Sequence, residues 1–236
     1  MKYFILLSFF VLNLLASTFQ INDNFSEDSL KKNMLYLIEE DSKKITPQEI
    51  IQSNQLAQVN KTNLGLIFDK QIWTISTLKN NTKETKTIYF YNPRPAIDFI
   101  DAYIFKNNTL IQSHFLGDSR EIENREVFSR FSTFKITLQS DEELTLVSKI
   151  SNPHGRIDIE WIVMSEDRFY KFITKDLILW GIIFSGILFV LIYQWFFYNA
   201  LKNSYFIQYA IFSATIFIYL LFYNGFGYLI FGSSSL

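Results

Sequence analysis

Leu177-Ile-Leu-Trp-Gly-Ile-Ile-Phe-Ser-Gly-Ile-Leu-Phe-Val-Leu-Ile-Tyr-Gln-Trp-Phe-Phe-Tyr198 is a run without a single charge. After the link Ala200-Leu-Lys-Asn-Ser204 a second apolar run extends from Tyr205 to Phe231. At about 1.5 Å of helical rise per residue, the first run matches a hydrocarbon core about 30 Å thick. A soluble core helix is commonly about 10–14 residues long and keeps one wet face. Here no face is charged, and from Leu177 to Leu236 the only charged side chain is Lys202. The pair predicts a transmembrane hairpin, helices 177–198 and 205–231, behind a water-soluble portion that holds almost every charge. Gly181 and Gly186 offer places for close helix approach, and Gln208 predicts a polar contact with a neighbouring helix.

Working outward, the 236 residues leave room for one domain of about 150 residues ahead of the hairpin. Residues 1–17 read as a secretory signal: Lys2, an apolar core from Tyr3 to Leu15, and the small pair Ala16-Ser17. Cleaved or retained as an anchor, this segment delivers the polar residues downstream of it to the outside. The predicted orientation is a periplasmic N-terminal domain on a bacterial inner (cytoplasmic) membrane, with Lys202 on the cytoplasmic side. Arg168, Lys171 and Lys175 just outside the first span run against the positive-inside tendency, but Glu166, Asp167 and Asp176 accompany them.

Composition narrows the function classes. With 22 basic and 23 acidic residues there is no basic excess to release counterions from a polyanion, so a nucleic-acid partner is not expected. There is no cysteine, which excludes disulfides, thiolate metal sites and thiol chemistry. His114 and His154 are the only histidines, a poor supply for a catalytic triad or a multi-histidine metal site. No cofactor, metal site or catalytic residue is predicted, and no nucleotide-binding motif is present.

The soluble portion is β-rich. Residues 18–63 are polar and predict one short helix, where Thr46-Pro-Gln-Glu49 provides an N-cap, a first-position proline and an acidic first turn. That helix is expected on the edge of the following sheet. Residues 64–165 are predicted to be strands: Ile72–Leu78, Thr87–Tyr91, Ile97–Phe105, Phe131–Leu138, Leu144–Ile150 and Ile157–Met164. Ile157, Ile159, Trp161 and Val163 alternate with Asp158 and Glu160, the period of a sheet wet on one face. Asn80-Asn81, Asn92-Pro-Arg-Pro95, Asn107-Asn108, Gly117-Asp118 and Asn152-Pro-His-Gly155 punctuate them as turns. The fold class is therefore mostly β, an antiparallel jelly roll or β-sandwich in an exported domain 18–170, followed by the two-helix hairpin.

Two groups could carry recognition. The strand-poor stretch from Asp118 to Arg130 sets Arg120, Arg125 and Arg130 among Glu121, Glu123 and Glu126; it reads either as a salt-bridged loop or as a rim for an anionic or sugar ligand. Trp73 and Trp161 could stack on a sugar ring, although Trp161 lies on the apolar side of its strand. The ligand-binding candidates are thus Trp73, Asp118, Arg120, Arg125 and Arg130. Asp98 and Asp101 differ by three and fall on opposite strand faces, so they do not make an acid–base pair.

Several short stretches, taken in order, resemble one family. They are Leu35-Tyr-Leu-Ile-Glu-Glu-Asp41, Thr46-Pro-Gln-Glu49, Leu64-Gly65, Ile72-Trp73, Asp98-Phe-Ile-Asp-Ala-Tyr103, Leu116-Gly-Asp118 and Arg125. The hairpin adds Gly181 to Gly186, Tyr193-Gln194, Lys202-Asn-Ser-Tyr205, Tyr209 and Asn224-Gly-Phe-Gly227. Together they resemble the extracellular domain and first two helices of bacterial seven-transmembrane receptors with diverse intracellular signalling modules (7TMR-DISM). The resemblance implies a periplasmic jelly-roll domain that binds carbohydrates or other small molecules, seven helices, and a kinase or cyclase output. An arginine expected in the strand after the acidic turn is replaced around Val147-Ser-Lys149. The chain reads as the sensing half of such a receptor, its partners being a small ligand, the lipid bilayer, and further helices or an output module on another chain. A membrane-tethered carbohydrate-binding module that signals nothing is the alternative.

Overall fold

The computed structural model describes residues 17–232 except 40–43, 69, 123–124 and 154. The signal segment, His154 and Glu123 lie outside the described residues, apart from Ser17 at the signal's end.

Two sheets face each other. The seven-stranded sheet has the order β4 (Ala57–Gln58), β3 (Met34–Ile38), β6 (Ile72–Asn80), β11 (Glu143–Ser151), β8 (Phe99–Lys106) and β9 (Thr109–Leu116). A short β1 (Phe19–Ile21) runs parallel to the end of β6. The four-stranded sheet has the order β10 (Thr133–Leu138), β7 (Lys86–Tyr91), β13 (Ile162–Ser165) and β2 (Glu27–Ser29), and β5 (Asn63–Leu66) pairs β12 (Arg156–Asp158) beside them. The core between the sheets is apolar: Leu78, Ile100, Ile104, Leu144 and Leu146 from one side meet Phe90, Phe134, Ile136 and Trp161 from the other. Burying each such side chain contributes about 1.5–3 kcal/mol. Trp161 donates its Nε1 hydrogen to the buried Ser148 Oγ at 2.9 Å across this core, within the Val147-Ser-Lys149 stretch.

The β-sandwich followed by a helical hairpin is as the sequence predicts, but several boundaries differ. Strands begin well before residue 64, since β1, β2, β3 and β4 are too short or too continuously apolar to show a period of two. The edge strand β9 has no counterpart among the predicted strands, because six of its first seven residues are exposed and its apolar side chains do not alternate. Ile157–Met164 is two strands, not one, with a break at Ile159–Trp161 where Trp161 turns into the core and Asp158 Oδ1 accepts from the Glu160 amide. The capping box at Thr46 and Glu49 forms as expected, yet helix α1 (Pro47–Ile51) lies over the outer face of β6 and β11, not on an edge. There it seals Ile50 against Trp73, Phe105 and Val147.

Helix α2 (Glu166–Leu201) starts immediately after β13 and continues for 36 residues, about 54 Å at about 1.5 Å per residue. Its first three turns are amphipathic and cover the outer face of the four-stranded sheet: Phe169 stacks on Tyr89 at 4.3 Å and Phe172 on Tyr91 at 5.1 Å. The rest is the first apolar run. Lys202 in the left-handed region and Asn203 as an N-cap reverse the chain into α3 (Ser204–Tyr223). The helices meet through aromatic pairs such as Phe184 with Phe217 and Phe197 with Phe206. Among the described residues nothing approaches Gly181 or Gly186 closely, so the close approach expected at these glycines is not made there, and Gln208 is exposed. The second run is also not one helix to residue 231. Gly225, at φ +79°, breaks it, and a short α4 (Phe226–Phe231) turns Phe226 and Tyr228 back into contact with the β-domain. A Cβ at position 225 would press on Pro95 and on the Arg130 carbonyl, so the corner requires glycine both for φ and for space.

Candidate functional site

The segment 117–131 between β9 and β10 touches, through its described residues, both β9 and the helices. It opens at Gly117, whose φ of +119° and contact with the Asp98 carbonyl admit no side chain. Next to it Asp118 is largely buried against Asp98. Burial first, and the neighbouring Asp98 charge second, push its carboxyl up to about 6. Its Oδ1 is sealed without a partner among the described residues.

The three arginines expected to form a ligand rim are engaged inside the protein. Arg120 pairs with Asp101, donates to the carbonyls of Ile100 and Leu116 at 3.2 and 3.3 Å, and lies over the rings of Phe99 and Phe115. Arg125 donates to the carbonyls of Gly117 at 2.5 Å, Phe131 at 3.3 Å and Ser129 at 3.4 Å, which closes the loop on itself. Its guanidinium also faces the ring of Tyr228, 4.7 Å from the centroid. The Tyr228 hydroxyl in turn donates to the carbonyls of Gly117 and Arg120. Thus the last short helix grips the start of the loop.

Arg130 grips the rest of the hairpin. Its Nε and Nη2 donate to the two oxygens of Asp176, both at 2.7 Å, and its Nη1 donates to the carbonyl of Asn224 at 2.9 Å. The side chains of Arg130 and Asp176 are only 10% and 12% exposed, and the guanidinium sits among Phe131, Trp180 and Phe226. One side chain therefore ties the β-domain to α2 at its entry into the apolar run and to α3 at its exit. Asp176 and Asn224 are not among the ligand-binding candidates that the sequence offers. The signal that could have found Asp176 is its position as the last charge before the run, and the Gly225 beside Asn224 marked a corner.

Trp73 does not offer a stacking face. It is 1% exposed, covered by α1, and donates Nε1 to Glu39 Oε2 at 2.8 Å. The sequence shows a tryptophan on an alternating strand but not that a helix covers the strand's second face. Of the five candidates, Trp73 is buried under α1 and Arg130 is bound to the helices, while Asp118, Arg120 and Arg125 lie together at one end of the loop. There, a cavity of about 450 Å³ is lined by His114 and Phe115 of β9 and by Arg120, Glu121, Arg125 and Glu126. Burial pushes the His114 imidazole below its ordinary value, with the Glu126 charge opposing, and its Nε2 is sealed without a partner among the described residues. The cavity thus has an aromatic wall, one imidazole at its edge and fixed charges of both signs.

Among solved structures, the chain is similar to a β-glucosidase from Kluyveromyces marxianus in complex with glucose. The identity is 12% and the TM-score 0.31, with 59% of this chain and 17% of that one covered. It is also similar to a β-glucuronidase from Ruminococcus gnavus, at 11% identity and a TM-score of 0.31, with 64% and 30% covered. A third similarity is to the pre-peptidase C-terminal domain of a collagenase from Bacillus anthracis, at 8% identity and a TM-score of 0.26, with 43% and 83% covered. The chain spans less than a third of the length of the two glycosidases, and likenesses this distant carry no functional argument. No curated protein matches the chain in sequence. A family model described as 7TMR-DISM extracellular 2 matches residues 32–165, more than half of the 236 residues. That domain type and the two apolar helices make this a membrane protein with an exported N-terminal domain. On this match, the chain belongs to the 7TMR-DISM extracellular 2 family.

Proposed function

We propose that the chain is the sensing part of a bacterial inner-membrane receptor. In this reading a small ligand, with carbohydrates the first class to try, settles in the cavity beside β9 and biases the packing of the helices. One observation carries it: segment 117–131 lines the cavity at one end, where Tyr228 of α4 also holds its Gly117 and Arg120 carbonyls, and at the other end Arg130 holds α2 through Asp176 and the end of α3 through the Asn224 carbonyl. A hydroxyl-rich ring fits a wall of Phe115 with imidazole, guanidinium and carboxylate groups around it. A ligand shifts the helices only through unequal affinity for two arrangements, and a loop shared by both sites is where such a difference can be made.

Hydrogen exchange on the full chain in lipid nanodiscs, with a panel of neutral monosaccharides and sugar acids, tests this. A productive ligand is expected to change protection in 117–131 and, together with it, in 166–176 and 224–231. In the double variant Arg130→Met/Asp176→Leu the response in 117–131 should survive and that in 166–176 vanish, while α4 stays linked to the loop through Tyr228. A response confined to the loop in the unaltered protein would instead make the chain a membrane-tethered carbohydrate-binding module. No response to any sugar would remove carbohydrate from the reading.

A further inference from the structure

A second cavity, also of about 450 Å³, lies where the two apolar helices meet the β-domain. Its floor is the clamp of Arg130 with Asp176; Phe172 of α2, Tyr91 of β7 and Tyr223 of α3 supply an aromatic wall. The Asn92-Pro-Arg-Pro95 turn supplies the rim, held by the Arg94 amide donating to Asn92 Oδ1 at 2.9 Å and by Pro95 against the Gly225 corner. Asp176 is the last charge before the first apolar run, and Tyr223 ends α3. The cavity therefore opens at the height of the lipid headgroups on the exported side, where aromatic side chains of this kind prefer to sit.

Charge inside the cavity is balanced in sum but not fully paired. Arg130 and Asp176 satisfy each other, which leaves Arg94 and Asp158 as the two remaining charged lining residues. Among the described residues neither has an ion-pair partner. The Arg94 Nε is sealed from solvent with no acceptor, and the only bond to the Asp158 side chain is from the Glu160 amide at 3.1 Å. One free cation and one free anion lining a single cavity suit a ligand with both charges on a short polar head.

We infer that this cavity holds the headgroup of a zwitterionic amino-phospholipid, with its phosphate on the Arg94 guanidinium, its primary ammonium on the Asp158 carboxylate, and its acyl chains running along the outside of the packed α2–α3 pair into the bilayer. A guanidinium binds phosphate oxygens through paired hydrogen bonds, and a primary ammonium has three hydrogens to donate to a carboxylate. A trimethylated head has none, and a head without nitrogen leaves Asp158 facing a second anion. The bilayer itself is the source, because the cavity opens beside the outer ends of both spans. This inference rests on the membrane placement alone and stands whether or not the β9 cavity binds a sugar.

The test uses the full chain released from phosphatidylcholine membranes doped with phosphatidylethanolamine or phosphatidylglycerol, with the lipids it retains counted by native mass spectrometry. Phosphatidylethanolamine is expected to be retained about tenfold over phosphatidylcholine, the scale of a lost hydrogen bond to a charged group. Arg94→Gln should abolish the retention of every headgroup. Asp158→Asn should remove only the preference for the primary amine and let phosphatidylglycerol in. The Asn keeps an acceptor for the Glu160 amide, and Arg94 makes no side-chain bond within the described residues, so both variants should melt with the parent; Arg94→Met, which keeps the apolar stem without the charge, serves if Arg94→Gln does not. Equal retention of the three lipids, or retention unchanged in both variants, overturns the inference. Free phosphoethanolamine competing at the strength of the lipid overturns the bilayer as the source.

Discussion

Asp118 shows what a single position can carry. Its carboxyl titrates near 6 in the folded chain against 3.8 for an ordinary aspartate. Because the folded value is the higher one, the stability contributed by the protonated form is complete below about pH 3.8 and is lost as the pH rises through about 6. Asp118→Asn should therefore raise the denaturant midpoint at pH 7.5 and flatten the slope that the parent shows between about pH 4 and 6. An unchanged slope in titrations across pH 4–8 would mean that Asp118 is solvated. Arg130 is the opposite case, a charge that is buried and fully matched. A buried pair of this kind is weak evidence for stability but strong evidence for a fixed geometry, since removing one partner strands the other. This is why the Arg130→Met/Asp176→Leu variant, which replaces both partners, separates coupling from folding.

At the scale of elements, α2 does two things with one uninterrupted backbone. Its first turns are part of the β-domain's core, through Phe169, which is 2% exposed and stacked on Tyr89, and the rest is a membrane span. A helix transmits a rotation or a shift along its axis without loss as long as no glycine or proline interrupts it, and between Glu166 and Trp180 there is neither. Phe169→Ala should cost about 3–5 kcal/mol of domain stability, the range for truncating a buried aromatic, and should loosen residues 166–176 in hydrogen exchange while leaving α3 helical. If the domain melts with the parent and exchange at 166–176 is unchanged, Phe169 is not the anchor the packing implies. The break at Gly225 belongs to the same scale. It lets α4 double back, so the domain is held by both ends of the hairpin and not by α2 alone.

For the whole molecule, the question is which side of the membrane each end faces. The absence of cysteine makes the measurement direct. A single cysteine introduced at Lys202 should react with an impermeant maleimide only after the membrane is opened, and one at Lys83, in the turn between β6 and β7, should react from the exported side without it. The reverse pattern would place the β-domain in the cytoplasm and end the receptor reading. The family match and the two apolar helices agree with the expected arrangement.

Local chemistry by itself determined the broad plan. Uncharged runs long enough to cross a bilayer, period-two alternation in the long strands, and the capping box at Thr46 are signals written within a few residues of one another, so the β-sandwich, the hairpin and α1 were legible from the chain alone. The short strands before residue 64, the edge strand β9 and the face on which α1 lands were not, because their pairing is set by partners far along the chain. The site was legible only in part: the arginines and Asp118 could be singled out as a group, but not which of them had its charge already used. That was decided by contacts such as Arg130 with Asp176 and Tyr228 with the Gly117 carbonyl, across separations of 46 and 111 residues. Such contacts exist only once the two sheets and the hairpin are packed, and a side chain's availability depends on what that packing leaves unpaired.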